Sequence, residues 1–359
     1  MFFINLNIGV IWSNVWPYLL AVLLFGVMIA IHEFGHFAFA KLFKVQVNEF
    51  SLGMGPKLIK KRIGETLYSI RLLPIGGFVS MEGEDEESDN ERAFNKKPAW
   101  QRFIIVAAGA ILNLILGVIV VGICLGFGGG LVGTRTVAKF MPDAVSQKSG
   151  LQPGDEIVKI NNTRIYSSMG ISFNLVRDTD NKIDLTVKRD GKKIELKDVE
   201  FEQYEYDGKK YIQQDFYILG EEPGFKNVVV NSVLDSASIV QMVRLSLVDI
   251  VTGKYGMKEI AGPIGTISAI AETTSQAGAF KDKILTALSF LSIITINVGV
   301  FNLLPVPALD GGRLFFIFIE MIRKKPIPPK REGIVHTVGI VVLLLFMAVI
   351  SIKDIIFLF

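Results

Sequence analysis

Two histidines four residues apart bracket a glutamate in the run His32-Glu33-Phe34-Gly35-His36. On a helix, positions i and i+4 share a face, so both imidazoles can reach one metal ion. Zinc suits such a pair, and it lowers the pKa of a water in its open position to about 7. Glu33 stands beside the pair and can take a proton from that water. The chemistry on offer is metal-assisted hydrolysis. Histidine is scarce, with three in 359 residues. A shuffled chain gives this match with odds on the order of one in a thousand, the false-positive risk of any short motif. The competing reading is a pair of buried structural histidines with a glutamate reaching toward the membrane edge.

A catalytic zinc takes three protein ligands and keeps one position open. The single cysteine, Cys124, lies in an apolar run with no partner motif around it. His336 is one candidate for the third ligand, and Asp310 is the stronger one. Asp310 ends an uncharged run in Asn302-Leu-Leu-Pro-Val-Pro-Ala-Leu-Asp310-Gly-Gly-Arg313. Pro305 and Pro307 each remove a backbone donor and break a helix. Broken backbone at membrane depth is tolerated only where it is buried or lines a wet cavity. A helix cap at the membrane interface is the alternative reading of Asp310.

The elements that must hold these residues are written in hydropathy. The chain is 50% hydrophobic, with a mean hydropathy of +0.44. That is too apolar for an ordinary soluble protein and fits several membrane spans joined to soluble parts. A net charge of +3 gives no case for nucleic acid. A span needs roughly 20 apolar residues. Four runs qualify: residues 18 to 40, 103 to 132, 284 to 309 and 333 to 352. The first lacks a basic leader and holds the histidine motif, so it reads as a retained span, not a cleaved signal peptide. Lysine and arginine crowd the loop from Lys41 to Arg102 and the loop from Arg313 to Arg331. The positive-inside rule makes both loops cytoplasmic, with both termini and the long segment from about 133 to 280 outside.

Residues 45 to 80 alternate in places and are rich in glycine and proline, which predicts short strands and turns. Residues 82 to 91 are an acidic run, read as a solvated flexible loop. In the outer segment, Gly150-Leu-Gln-Pro-Gly-Asp-Glu-Ile-Val-Lys-Ile-Asn-Asn162 resembles a bacterial PDZ domain. Gly130-Leu131-Val132-Gly133 then matches the loop that receives a peptide terminus, since PDZ domains bind extended peptides at a sheet edge. Residues 201 to 231 read as further strands. Residues 236 to 260 read as a helix near the membrane surface.

The fold class expected is a multi-pass α-helical membrane protein with four transmembrane helices, a cytoplasmic β-hairpin region and one inserted extracytoplasmic PDZ domain. The divisions are 1–44 for the first span with the histidines, 45–99 for the hairpin region and 100–128 for the second span. They continue with 129–200 for the PDZ domain and 201–283 for a β extension and surface helix. Residues 284–332 carry the third span with Asp310 and a cytoplasmic loop, and 333–359 the fourth span.

Together, the His-Glu-x-x-His run, the Asn-x-x-Pro-x-Pro-x-Leu-Asp-Gly-Gly run and an intervening PDZ unit resemble the site-2 protease family. Within it the chain is similar to the bacterial regulator of sigma-E protease type. The resemblance covers nearly the whole chain, including Gly262-Pro263-Ile264. It implies one zinc per chain, with Asp310 as third ligand and Glu33 as the catalytic group. It implies substrate contacts at Asn302, Pro305 and Pro307, with Asn302 holding the substrate or its oxyanion. It implies that residues 53 to 79, with Gly76, Gly77 and Phe78, form a membrane-dipping β-hairpin that pairs with substrate. The partners implied are the lipid bilayer and single-span membrane proteins, such as anti-sigma factors or remnant signal peptides. The location implied is the bacterial cytoplasmic membrane. The chain departs from some members in having a single PDZ-like unit, and it carries Arg313 where histidine is common. Two rival readings are a catalytically silent PDZ scaffold and a metal carrier. Retention of Glu33 speaks against the first, and the lack of an inverted repeat against the second.

Overall fold

The computed structural model describes residues 8–84, 86–206, 208–254, 262–325 and 327–358. In chain order the elements begin with α1 (Ile8–Leu42), β1 (Val47–Ile63), β2 (Thr66–Met81), α2 (Ala99–Phe127), β3 (Val132–Phe140) and α3 (Val145–Lys148). There follow β4 (Glu156–Ile160), β5 (Thr163–Arg164), α4 (Ser168–Arg177), β6 (Lys182–Arg189), β7 (Lys192–Glu200), β8 (Gln203–Tyr206), β9 (Lys209–Ile212) and β10 (Phe216–Glu221). The chain closes with α5 (Phe225–Val251), α6 (Pro263–Gln276), α7 (Phe280–Phe301), α8 (Asp310–Arg323) and α9 (Pro329–Leu358). Two compact units result, one of residues 1–120 and 249–359, the other of residues 121–248.

In the first unit, long apolar helices dominate because lipid offers no partner to an unpaired backbone group. Helices α1, α2, α7 and α9 match the four runs read from hydropathy. Helix α5 is also long and apolar enough to cross a membrane, but its best window has a mean hydropathy of 1.3 against at least 2.1 for the others. The chain is thus a membrane protein of several apolar helices with β sheets. Helix α1 stops where Lys44 turns left-handed, at φ 58°. Val45 N–H then donates to Ala40 C=O and Lys44 N–H to Lys41 C=O, a Schellman motif with buried Val45 and Ala40 beside it. That stop feeds the chain straight into β1.

β1 and β2 are longer than the short strands expected, because each bends and pairs twice. Residues 66–71 lie between 57–63 and 49–52, and 49–52 pairs in turn with 77–81 through Phe50↔Val79 and Ser51↔Phe78. The bend in β1 needs Gly53, at φ +85°, where a Cβ would meet Leu73 O at 2.5 Å. Two carboxylates hold this hairpin. Glu49 accepts from Lys57, Arg71 and Ser69, each at 2.8 Å. Glu65, at the turn, accepts from Lys41 at 2.6 Å and from both terminal nitrogens of Arg92 at 2.7 Å. Partial burial pushes the Glu49 carboxyl up, but Lys57, Arg71 and Ser69 outweigh it and bring the pKa to about 2. The Arg92 and Lys41 bonds hold Glu65 at about 2 as well. Depressed carboxylate pKa values stabilise the folded form above the ordinary value near 4.5 and cease to do so as pH falls toward 2. Amide exchange across residues 47–81 should therefore stay slow from pH 8 to 5 and lose protection between pH 4.5 and 2. Protection that is level over that range rules the two carboxylates out as its source.

The second unit is built on a sheet of order β10-β3-β4-β6-β7, with β5 paired to β4. Its core holds Val137, Leu151, Ile157, Ile160, Leu185 and Phe216. The Pro-Gly-Asp turn is explained by Asp155, which is fully buried, accepts Gln152 N–H at 2.9 Å and takes both arms of Arg189 at 2.7 Å. The sheet does not stop at residue 200, since β10 joins it along the length of β3 from Phe216↔Phe140 to Glu221↔Val132.

Several expectations are corrected. Residues 225–231 are helical, not strand. The β-branched Val228, Val229 and Val230 favour strand, but Pro223-Gly224 ends β structure just before them and the chain continues in a helical register into α5. Helix α5 therefore starts well before residue 236, and residues 255–260 of the expected surface helix lie outside the described residues. Helices α6 and α8 lie outside the four apolar runs and the surface helix expected from sequence.

Candidate metal centre

The site gathers its donor residues from two helices of the first unit. Helix α1 supplies His32, Glu33 and His36 from one uninterrupted stretch, so the i, i+4 spacing is kept. Asp310 is the first residue of α8. Helix α7 ends at Phe301, and the Pro-containing segment that follows lets the chain restart as α8. The two glycines after Asp310 are required by close backbone approach. A Cβ on Gly311 would lie 1.9 Å from Leu304 O, and one on Gly312 would lie 2.7 Å from Val306 O.

His32 Nε2 lies 3.1 Å from Asp310 Oδ2, His36 Nε2 lies 3.3 Å from the same oxygen, and the two Nε2 atoms are 3.3 Å apart. Ligand atoms at tetrahedral corners about 2.0–2.1 Å from a zinc are separated by about 3.3 Å. Asp310 Oδ2 is buried and receives no hydrogen bond. Three electron-rich atoms converging on one point repel each other unless a cation sits among them. His36 Nδ1 faces Ile105 O at 2.9 Å, so it carries the proton and leaves Nε2 free to ligate. The donor set fits zinc, and these three are the metal-capable cluster among the described residues.

A cavity of about 500 Å³ opens on this triangle. Glu33, Gly77, Phe78 and Leu309 line it together with the histidines, as do Glu84, Arg313, Glu332 and His336. Residues 77–81 run along its wall, with a Cβ on Gly77 only 2.9 Å from Glu33 Cγ. This stretch pairs on one side with 47–52 and has no strand on its other side among the described residues.

The Asn302 amide nitrogen lies 3.5 Å from His32 Nε2. Gly77 and Phe78 line the cavity, whereas Gly76 sits at the bend of β2 against Met54. Pro305 and Pro307 shape the backbone, and Pro307 packs on Gly339 of α9. His336, the alternative third ligand, receives Ala308 N–H at 3.3 Å on Nδ1 and stands outside the triangle. Of the four residues assigned to a peptide-receiving loop, Gly130 and Leu131 are in a loop, while Val132 and Gly133 are in β3, paired to β10. The acidic run is not simply a solvated loop, because Glu84 binds Arg313 and Glu82 accepts from Asn48 at 2.9 Å and Ser88 at 2.7 Å.

Comparison with known proteins bears on what this site does. The family described as peptidase family M50 matches residues 20–346. The chain belongs to that family. A Clostridium acetobutylicum protein provisionally named a zinc metalloprotease is 39% identical over 349 residues, covering 94% of this chain and 97% of its own. A Fusobacterium nucleatum protein with the same provisional name is 32% identical, over 94% and 98%. The regulator of sigma-W protease RasP of Bacillus subtilis is 29% identical, over 93% and 97%. This M50 chain is accordingly a zinc-dependent metalloendopeptidase of the site-2 type, acting within the membrane.

Sequence reading missed the contribution of α2. Ile105, Gly109 and Asn113 are spaced i, i+4, i+8, and all three meet the histidines. Asn113 gave a signal, as the one amide in an uncharged run from 103 to 132.

Proposed function

We propose that His32, His36 and Asp310 hold the zinc, that Glu33 is the general base, and that the substrate is the membrane segment of a single-span protein. The observation that carries this is the donor triangle beside Glu33, next to an open strand edge at Gly77–Met81. Peptide bonds in a helix are shielded, so the segment must unwind before it can be cut. An unwound segment can pair with residues 77–81 by strand addition, which lays its carbonyl along the cavity wall. When bound, zinc supplies a water of lowered pKa and polarises the carbonyl. Glu33 takes the proton from the attacking water and hands it to the leaving amine. Asn302 is in reach to donate its amide to the developing oxyanion.

The wider setting follows the same reading. On this reading α1, α2, α7 and α9 are the spans, and the excess of lysine and arginine in the two basic loops puts those loops in the cytoplasm and both termini outside, in a bacterial cytoplasmic membrane. Support for leaving α5 out comes from its polar face. Ser238 bonds Ser167 at 2.8 Å, and Gln241 donates to Arg164 O at 2.9 Å, so this face is committed to the sheet unit. The sheet unit is a PDZ domain on the strength of its Pro-Gly-Asp turn and strand order. Its peptide edge is the outer side of β10, because β3 is paired on both sides. The substrates are anti-sigma factors or remnant signal peptides, in line with the sigma-W relative.

The test is cleavage of a model single-span substrate by purified protein in micelles. A strong zinc chelator should abolish cleavage, and added zinc should restore it. Cleavage that continues at zero zinc content sinks the assignment.

A further inference from the structure

We infer that Asn113 is the positioning residue that fixes the His32 ring for metal binding, its side-chain oxygen accepting the Nδ1 proton of His32. The inference rests on the reading above in which His32 is a zinc ligand. His32 turns Nε2 toward Asp310 and His36. To ligate through Nε2, a neutral imidazole must carry its proton on Nδ1. A buried N–H needs an acceptor. Among the described residues, the group that meets His32 Nδ1 is the Asn113 amide, at 3.3 Å.

Asn113 is fully buried. Its Oδ1 has no hydrogen-bond partner when the amide nitrogen faces the ring. In that orientation the nitrogen donates to Nδ1 and the imidazole proton moves to Nε2, pointing at two other would-be ligands. Rotating the amide by half a turn exchanges oxygen and nitrogen in nearly the same place. The oxygen then accepts from Nδ1 and Nε2 is free, while the amide nitrogen takes the place the oxygen leaves. One amide thus decides which ring nitrogen can bind the metal.

The arrangement parallels His36, whose Nδ1 is held by Ile105 O at 2.9 Å. Ile105 and Asn113 are eight residues apart on α2, with Gly109 midway, so one helical face serves both rings. Gly109 leaves the room, and the carbonyl and the amide set the two tautomers. An amide in a membrane helix is costly unless it is bonded, and here the bond has a chemical use.

The test compares full-length Asn113→Leu and Asn113→Asp with wild type in micelles. Zinc affinity is read by competition with a chromophoric chelator. Asn113→Leu should weaken zinc by about 10- to 100-fold, as loss of an outer partner does. Asn113→Asp should bind within a few-fold of wild type, since its oxygens can only accept. Leucine binding as tightly as wild type, or aspartate as weakly as leucine, overturns the inference. With three histidines in the chain, the imidazole nitrogen-15 spectrum of wild-type holoprotein gives a second readout that needs no variant. It should show His32 protonated at Nδ1, and an unprotonated Nδ1 also overturns the inference. His32→Ala separates the two levels. If its zinc affinity equals wild type, the ligand assignment has failed; if zinc is lost there but held in Asn113→Leu, only the present inference has.

Discussion

Glu33→Gln is expected to slow cleavage by about 10²- to 10⁴-fold, the range a general base contributes, while each chain still holds its zinc. The substitution keeps the shape of the side chain and removes its ability to take a proton. None of the three donor atoms of the triangle is touched, and α1 has no helix break between residues 32 and 36. Glu33 faces the cavity beside the strand edge at Gly77. Binding of an extended segment to that edge does not call on the proton, so kcat should fall and KM should hold. Electrostatic stabilisation of the oxyanion also survives, which leaves a residual rate above that in water. The measurement is kcat and KM on a model single-span substrate, with metal content determined on the same sample. A variant within tenfold of wild type removes Glu33 from the proton transfer. A variant that has lost its zinc assigns Glu33 a structural part instead.

What the sequence exposed and what it hid divide along the distance between the residues involved. The His32–Glu33–His36 spacing is local, and helical periodicity alone brings both rings to one face. The four most apolar helices are local too, since hydropathy over about 20 residues picks them out. Pro305 and Pro307 announced a break near Asp310. They did not announce that a new helix begins at Asp310, which depends on Gly311 and Gly312 clearing the carbonyls of Leu304 and Val306. The anchoring of Glu84 by Arg313 joins residues 229 apart, and no window of sequence holds both. The same is true of β10, which adds to β3 across about 80 residues. Helix α5 shows the opposite failure, a strong local preference of Val228, Val229 and Val230 for strand that the longer helix overrides.

Gly109→Ala is expected to empty the metal site, and the reason lies in the narrow gap between α1 and α2. A Cβ at position 109 would sit 2.4 Å from His36 Nε2, 2.7 Å from His36 Cε1 and 2.9 Å from His32 Cε1. All three atoms belong to rings that cannot swing aside freely, since the bond from His36 Nδ1 to Ile105 O ties one of them to α2 itself. Nor can the helices part cheaply. Gly35 of α1 meets α2 closely enough that its own Cβ would lie 2.6 Å from Ala108 O, the kind of small-residue contact that lets membrane helices pack backbone to backbone. Local helix propensity runs the other way, because alanine favours a helix over glycine by about 1 kcal/mol. Helix content should therefore be kept while zinc affinity falls by about 100-fold or more, at the upper end of what a disturbed ligand shell costs. Circular dichroism and zinc content after dialysis against a chelator measure the two separately. Full zinc retention with normal cleavage shows that the rings, or the α1–α2 spacing, yield by a few tenths of an ångström. Zinc loss with helices intact is the reverse of the Glu33→Gln signature, which keeps the metal and loses the rate, and the pair of variants thereby separates holding the metal from using it.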